Sequence, residues 1–327
     1  MAKSAMPDDA QQGPRRIDVH HHLMPPKYIT EAGHERLFRV SPPKLRMPLA
    51  WSPARSVEEM DRYGIATSIT SIATPGVWFG DNAAGRRLAR ECNEYATRMT
   101  EDYPGRFGVF ASLPLPDVDG CLREIEYAFD QLRADGIVLM TSIENKWLGD
   151  AAFAPVFDEL NRRRAVVYVH PTVPDCCRNL IPHVADAVIE FPMDTTRAIV
   201  SLLYSGTFAR CPEIRFIFSH SGGMLPFVAS RVARAPALEP ALAARVPNGA
   251  KYELKKLYYE ICSATSPMAM AALMQLVAVS QILFGTDFPW RYAGPTAEEF
   301  DAYPLSAADR RAINRDSALA LFPRFGR

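Results

Sequence analysis

Four histidines and one aspartate stand at the downstream ends of β-like runs in this chain, and their side chains are of the kinds that hold a metal ion. The runs are Ile17-Asp18-Val19-His20-His21-His22, Ala165-Val166-Val167-Tyr168-Val169-His170, Arg215-Phe216-Ile217-Phe218-Ser219-His220 and Gln281-Ile282-Leu283-Phe284-Gly285-Thr286-Asp287. Each is rich in apolar, mostly β-branched or aromatic residues and ends in a group that binds a metal or carries a proton. Neutral imidazole suits zinc, manganese, iron and similar ions, and a carboxylate completes an N3O set. His20 and His22 are two residues apart, so on a strand they share a face and can point at one ion while His21 points away.

Residues so far apart in sequence need a scaffold that gathers strand ends on one face, as a (β/α)8 barrel does. The pattern along the chain fits one. Strands are predicted at 17–22, 65–73, 107–113, 136–141, 165–169, 215–219, 257–262 and 281–285. Helices are predicted between them, at about 56–64, 82–103, 118–133, 152–163, 185–209 with a break at Pro192, 225–235, 267–277 and 307–321. Ser56 is read as the cap of the first helix. Alternating strands and helices lead to a TIM-type α/β barrel. A doubly wound open sheet is the alternative, weakened because no glycine-rich dinucleotide fingerprint follows the first strand. Residues 1–14 are expected to form a disordered arm before a single barrel domain, 15–327. The proline-rich stretch from Pro25 to Pro53 reads as an irregular loop over the active face.

Composition narrows the partners. The 327 residues are 48% hydrophobic, ample for a large core, and the 37 Lys+Arg balance the 37 Asp+Glu. No basic excess suggests nucleic acid or an anionic membrane. No apolar signal core or membrane-length apolar run is present. The six cysteines contain no C-x-x-C motif, although Cys176 and Cys177 are adjacent. A reduced, cytoplasmic protein is the expectation.

The motifs Asp18-Val19-His20-His21-His22, Val169-His170-Pro171, His220-Ser221-Gly222-Gly223-Met224-Leu225-Pro226-Phe227 and Phe284-Gly285-Thr286-Asp287-Phe288-Pro289, in that order, resemble the amidohydrolase superfamily. More narrowly, the chain resembles its aminocarboxymuconate-semialdehyde decarboxylase-like branch. The segment Glu190-Phe191-Pro192-Met193-Asp194-Thr195-Thr196-Arg197 is similar to 6-methylsalicylate decarboxylases and related small aromatic-acid decarboxylases. The resemblance implies one divalent ion, Zn2+ or Mn2+, held by His20, His22, His170 and Asp287, with His220 as a nearby acid/base group. It also implies a homodimer. Strand four carries no lysine, and Lys146 comes later, which argues for a single ion rather than a dinuclear centre.

The resulting expectation is a carboxy-lyase that removes CO2, without oxidation, from a small aromatic or related unsaturated carboxylic acid. Asp287, or a group it feeds, would protonate the ring carbon. Lys44, Arg46, Arg55 and Arg197 are candidates to hold the substrate carboxylate, since guanidinium matches its geometry. Phe191 and Trp290 are candidates to contact the ring. Asp18 faces the same way as His20 on a regular strand and is a candidate to orient an imidazole. Cys262, ending strand seven, reads as a buried inert thiol. A hydrolase or hydratase using metal-bound water, with Asp287 as base, is the first alternative. A catalytically silent ligand-binding barrel is the second.

Overall fold

The computed structural model describes residues 15–41 and 47–326. The arm at 1–14 and two carboxylate candidates, Lys44 and Arg46, lie outside the described residues. The remainder is a barrel of eight parallel strands in sequential order. They are β1 (Arg16–His22), β2 (Ile65–Ser71), β3 (Phe107–Ser112), β4 (Gly136–Met140), β5 (Val166–His170), β6 (Arg215–Phe218), β7 (Tyr258–Glu260) and β8 (Ile282–Leu283). Closure comes where Val19 N–H donates to the Phe284 carbonyl at 3.0 Å and Asp18 bridges Phe284 in parallel. That closure excludes the open-sheet alternative.

Strand parity divides the core. Val166 and Tyr168 of β5 pack with Ile17, Val19, Ile69, Phe110, Val138 and Ile217 as one cluster, while Val167 and Val169 join the larger cluster beneath the helices. His170 continues the Val166–Tyr168 face, so the parity that fills the barrel also aims this imidazole at its mouth.

Three local expectations need correction. Pro26–Phe38, read as irregular, is a helix (α1) with proline in its first turn and a kink at Gly33. It buries Tyr28, Ala32, Leu37 and Phe38, and this packing outweighs poor local signals. The next helix, α2, runs Pro53–Arg62 and is capped by Ser52, not Ser56. Ser56 instead lies inside α2, buried, within 2.9 Å of both His21 Nε2 and Trp51 Nε1. The long helix after β5, α3 here, spans Ala187–Tyr204 without interruption through Pro192. Pro192 lies near its N-terminal end, where few intrahelical N–H bonds are forfeited. Gly206, at φ 80°, separates it from a short helix at Thr207–Arg210.

Candidate metal centre

β1 delivers His20 and His22 to one point. Their Nε2 atoms are 3.0 Å apart, and Asp287 Oδ1 lies 3.3 Å from the first and 3.1 Å from the second. His170 joins from β5, with all four donor atoms within 4.8 Å of one another. Tetrahedral ligands at zinc-like bond lengths would stand roughly 3.3 Å apart. The three histidines are buried.

The outer nitrogens decide whether this cluster fits an ion. His20 Nδ1 is 2.8 Å from Glu260 Oε1, His22 Nδ1 is 3.1 Å from the Ser71 carbonyl, and His170 Nδ1 is 2.8 Å from the Pro171 carbonyl. Each Nδ1 therefore faces an acceptor, which holds its proton there and leaves the Nε2 lone pair turned inward. Three inward lone pairs and a carboxylate fit a single divalent cation.

Without an ion, the electrostatics favour the ligating form at two of the three histidines, and His20 must give up a proton to present its lone pair. Burial holds His22 and His170 below the ordinary imidazole range, favouring the neutral, ligating form. Burial would lower His20 too, but the Glu260 and Asp287 carboxylates outweigh it and raise it well above that range. Asp287 pays for burial, yet the His20 and His22 rings beside it keep it well below the usual carboxylate range.

Backbone geometry at the mouth is unusual. Asp287 has φ 67°, and its N–H donates to the His20 carbonyl at 2.6 Å. His220 and Ser221 have φ 52° and 56°, and Gly222 and Gly223 follow with positive φ. At Gly223 a Cβ would lie 2.0 Å from the Pro192 carbonyl oxygen, so only glycine lets this turn rest on α3. The turn sets the His220 ring 5.0 Å from that of His20. Burial takes His220 down to about 4, and its Nδ1 is buried with no partner among the described residues. It is a neutral imidazole with an uncommitted nitrogen.

Glu260 is a residue of the cluster that the sequence reading missed. It is fully buried on β7. Its Oε1 accepts from His20 Nδ1 and from the His220 N–H at 2.6 Å, and its Oε2 accepts from the Cys262 N–H at 2.6 Å. A lone acid inside the apolar run Leu257–Cys262 was the available signal, because charges are seldom fully buried unless paired. Cys262 itself is buried, its thiol pushed up to about 11 by burial, and is inert at neutral pH.

Asp18 holds the backbone of His20, accepting its N–H at Oδ1 at 3.0 Å, while the His20 imidazole is held by Glu260. The β1–β2 pairing slips between Asp18 and His21, so Asp18 shares a face with His21 instead. Asp18 Oδ2 is 3.0 Å from His21 Nδ1 and accepts from Thr286 Oγ1 at 2.6 Å, tying β1 to the segment that carries Asp287.

The other candidates divide. Phe191 stands edge-on to His170, ring centroids 6.1 Å apart. Trp290 packs instead against Phe38 of α1, at 5.6 Å. Arg55 is exposed on α2 and donates to the Ala50 carbonyl at 3.0 Å. Arg197 is committed to Glu190 at 3.1 Å, with Asp194 at 3.8 Å. A cavity of about 440 Å3 opens over the ends of β2 to β5; none of the four donors is in its wall, which approaches β5 through Met140, the strand partner of His170, and Thr172. Its wall includes Thr74, Met140, Thr172, Arg36, Arg39 and Arg178. Thr172, two residues past His170, pairs its hydroxyl with that of Thr74 at 2.9 Å. Arg178, unnoticed in the sequence, has a buried Nε with no hydrogen-bond partner among the described residues. Lys146 is exposed on a two-stranded hairpin beyond β4.

Comparison with known proteins places these residues in context. The amidohydrolase family profile matches residues 17–324. The decarboxylase yanB of Aspergillus niger is 34% identical over 331 residues, covering 95% of this chain and 88% of the relative. The 6-methylsalicylic acid decarboxylase of Penicillium expansum is 32% identical, covering 94% and 96%. Among solved structures, a dihydroxybenzoic acid decarboxylase from Polaromonas sp., with bound manganese and the inhibitor 2-nitroresorcinol, superimposes with a TM-score of 0.78 at 22% identity, covering 95% of this chain and 97% of that one.

Proposed function

Because this chain belongs to the amidohydrolase family, we propose that its barrel mouth is the active site of a metal-dependent, non-oxidative decarboxylase acting on a small hydroxybenzoate-like acid. The carrying observation is the set of three Nε2 lone pairs and one carboxylate converging at a barrel mouth that also holds a 440 Å3 cavity over the ends of β2 to β5, in a chain whose relatives over nearly their full length are decarboxylases. His20, His22, His170 and Asp287 would hold the ion. Manganese has the support of the Polaromonas structure, and zinc fits the same donors.

A divalent ion held there would act as a Lewis acid and a template for the substrate oxygens. The chain's own groups handle the proton. Asp287 begins as the carboxylate and takes the proton of the substrate's ortho-hydroxyl. It then passes that proton to the ring carbon bearing the carboxylate. The bond to the carboxylate breaks, its electrons restore the aromatic ring, and CO2 leaves. The phenolate regains a proton from water. His220, neutral and uncommitted at Nδ1, donates or accepts a hydrogen bond beside the reacting atoms. Phe191 borders the ring site. Arg55 and Arg197 do not line the cavity, whereas Arg178 does, and although one of its terminal nitrogens pairs with Asp175 at 2.8 Å its Nε is uncommitted, so it is our choice for the substrate carboxylate.

The reading includes a homodimer, supported by the family resemblance, and a reducing cytoplasmic setting, supported by six free cysteines. No helix among the described residues is long and apolar enough to cross a membrane. The test is CO2 release from a panel of ortho-hydroxybenzoates by manganese-loaded protein, chelated protein and Asp287→Asn. Release confined to the loaded wild type supports the decarboxylase. Lactone or amide cleavage with no release would favour the hydrolase.

A further inference from the structure

Outside the metal centre, one pair of reactive side chains stands apart from the other thiols. Cys92, Cys121, Cys211 and Cys262 are all buried, and burial raises each thiol above its ordinary value. Cys176 is exposed, and its neighbour Cys177 is buried, with the two Sγ atoms 3.0 Å apart. They lie in a 3-10 turn at Asp175–Cys177, just after Pro174. The residues on either side, Asp175 and Arg178, pair at 2.8 Å and both line the cavity over the ends of β2 to β5.

An accessible thiol with a second thiol in contact behind it is the arrangement of a reactive cysteine and its resolving partner. We infer that Cys176 and Cys177, between the cavity-lining residues Asp175 and Arg178, form a thiol–disulfide exchange site, which takes a small-molecule disulfide and closes to a reversible vicinal disulfide. The Cys176 thiolate attacks one sulfur of the disulfide RSSR. A mixed disulfide forms at Cys176 and one RS– leaves. Cys177 Sγ, losing its proton to solvent, then attacks the Cys176 sulfur. The Cys176–SR bond breaks and a second RS– leaves. Two protein sulfurs are oxidised and the two sulfurs of RSSR are reduced.

The sulfurs need to close only from 3.0 Å to roughly 2.05 Å. The exposure of Cys176 and the burial of Cys177 behind it assign the attacking role to the first and the resolving role to the second. Adjacent Cα atoms are only about 3.8 Å apart, below the usual disulfide span, so the product is strained and easily reduced. Closure would stiffen the turn that carries Asp175 and Arg178.

The test treats reduced, manganese-loaded protein with oxidised glutathione and reads intact mass and peptide maps. Wild type is expected to lose the mass of two hydrogen atoms, retain no glutathione, and show the bond within the peptide bearing both cysteines. Dithiothreitol should reverse it. Cys177→Ser should retain glutathione on Cys176, and Cys176→Ser should show neither product. Stable glutathione on wild-type Cys176, no reaction of wild type, or a bond formed elsewhere would each overturn the inference. None of these readouts depends on decarboxylation.

Discussion

Glu260 Oε1 stands 2.8 Å from His20 Nδ1, both side chains closed off from solvent, and the same oxygen accepts the His220 backbone N–H. One carboxylate thus fixes the tautomer of a metal-site imidazole and the position of the histidine beside it. Glu260→Gln keeps the shape but turns an N–H donor toward one of these donors. Outer partners of this kind are typically worth about 10–100-fold in metal affinity. Titration of apo protein with Mn2+ should show a loss of that order in the variant. Unchanged affinity would mean that Glu260 only fills space.

The same pair predicts a proton count. With no ion, His20 is held in the cationic form at neutral pH, whereas His22 and His170 are held neutral. A ligating imidazole must be neutral, so ion binding at pH 7 should release about one proton. Affinity should accordingly rise as pH climbs toward the His20 value and level off above it. For the apo fold the sign is opposite: a raised histidine contributes stability that is complete below the unfolded value and lost as pH rises through the folded one. Calorimetry in two buffers of different ionisation enthalpy counts the proton. A count of zero would contradict the charge assignment.

Gly285 owes its identity to this contact. A Cβ there would lie 2.3 Å from Glu260 Oε2 and 2.8 Å from His20 Cβ. Gly285→Ala should destabilise the protein by about 1–3 kcal/mol and strip its metal. Thermal unfolding and metal analysis on one sample check both. An alanine variant that keeps its ion and its stability would show that the site has slack here.

Asp194 anchors the cavity wall from behind. It is fully buried and accepts from the Thr141 and Ser142 hydroxyls and from Trp147 Nε1. The Thr141 oxygen in turn accepts the Thr172 N–H at 3.0 Å. Asp194→Ala strands these donors, at a cost of about 3 kcal/mol. The wall it supports should loosen, raising KM more than it lowers kcat. Equal loss in both at unchanged stability would point to a direct chemical role instead.

Arg178 carries the carboxylate assignment. Arg178→Gln should raise KM about tenfold or more for carboxylate substrates, in keeping with loss of a charge-assisted hydrogen bond. Binding of an uncharged phenol should not change. Equal weakening of acid and phenol would remove Arg178 from the carboxylate site.

The barrel and the convergence of His20, His22, His170 and Asp287 were legible in the sequence for one physical reason. Strand parity and strand ends are local patterns, and a barrel turns strand ends into a shared face. Glu260 was less legible because its importance comes from contact with His20, 240 positions away. Asp18 misled for a related reason: regular alternation puts it beside His20, but the slip in β1 turns it toward His21. Helix α1 was hidden because burial of Tyr28 and Leu37, not local propensity, holds it. The carboxylate contact was least legible. Arginines are common on surfaces, and only packing shows that Arg197 is paired and that Arg178 faces the cavity.

The central claim is that the ring carbon gains a proton at this site as CO2 leaves. Its most direct test is to run the reaction in D2O with an ortho-hydroxybenzoate that the CO2 panel shows to be turned over. The account predicts one CO2 per substrate consumed and a phenol carrying a single deuterium at the carbon that bore the carboxylate. A product that retains its carboxylate, or a phenol with no deuterium at that carbon, would contradict it.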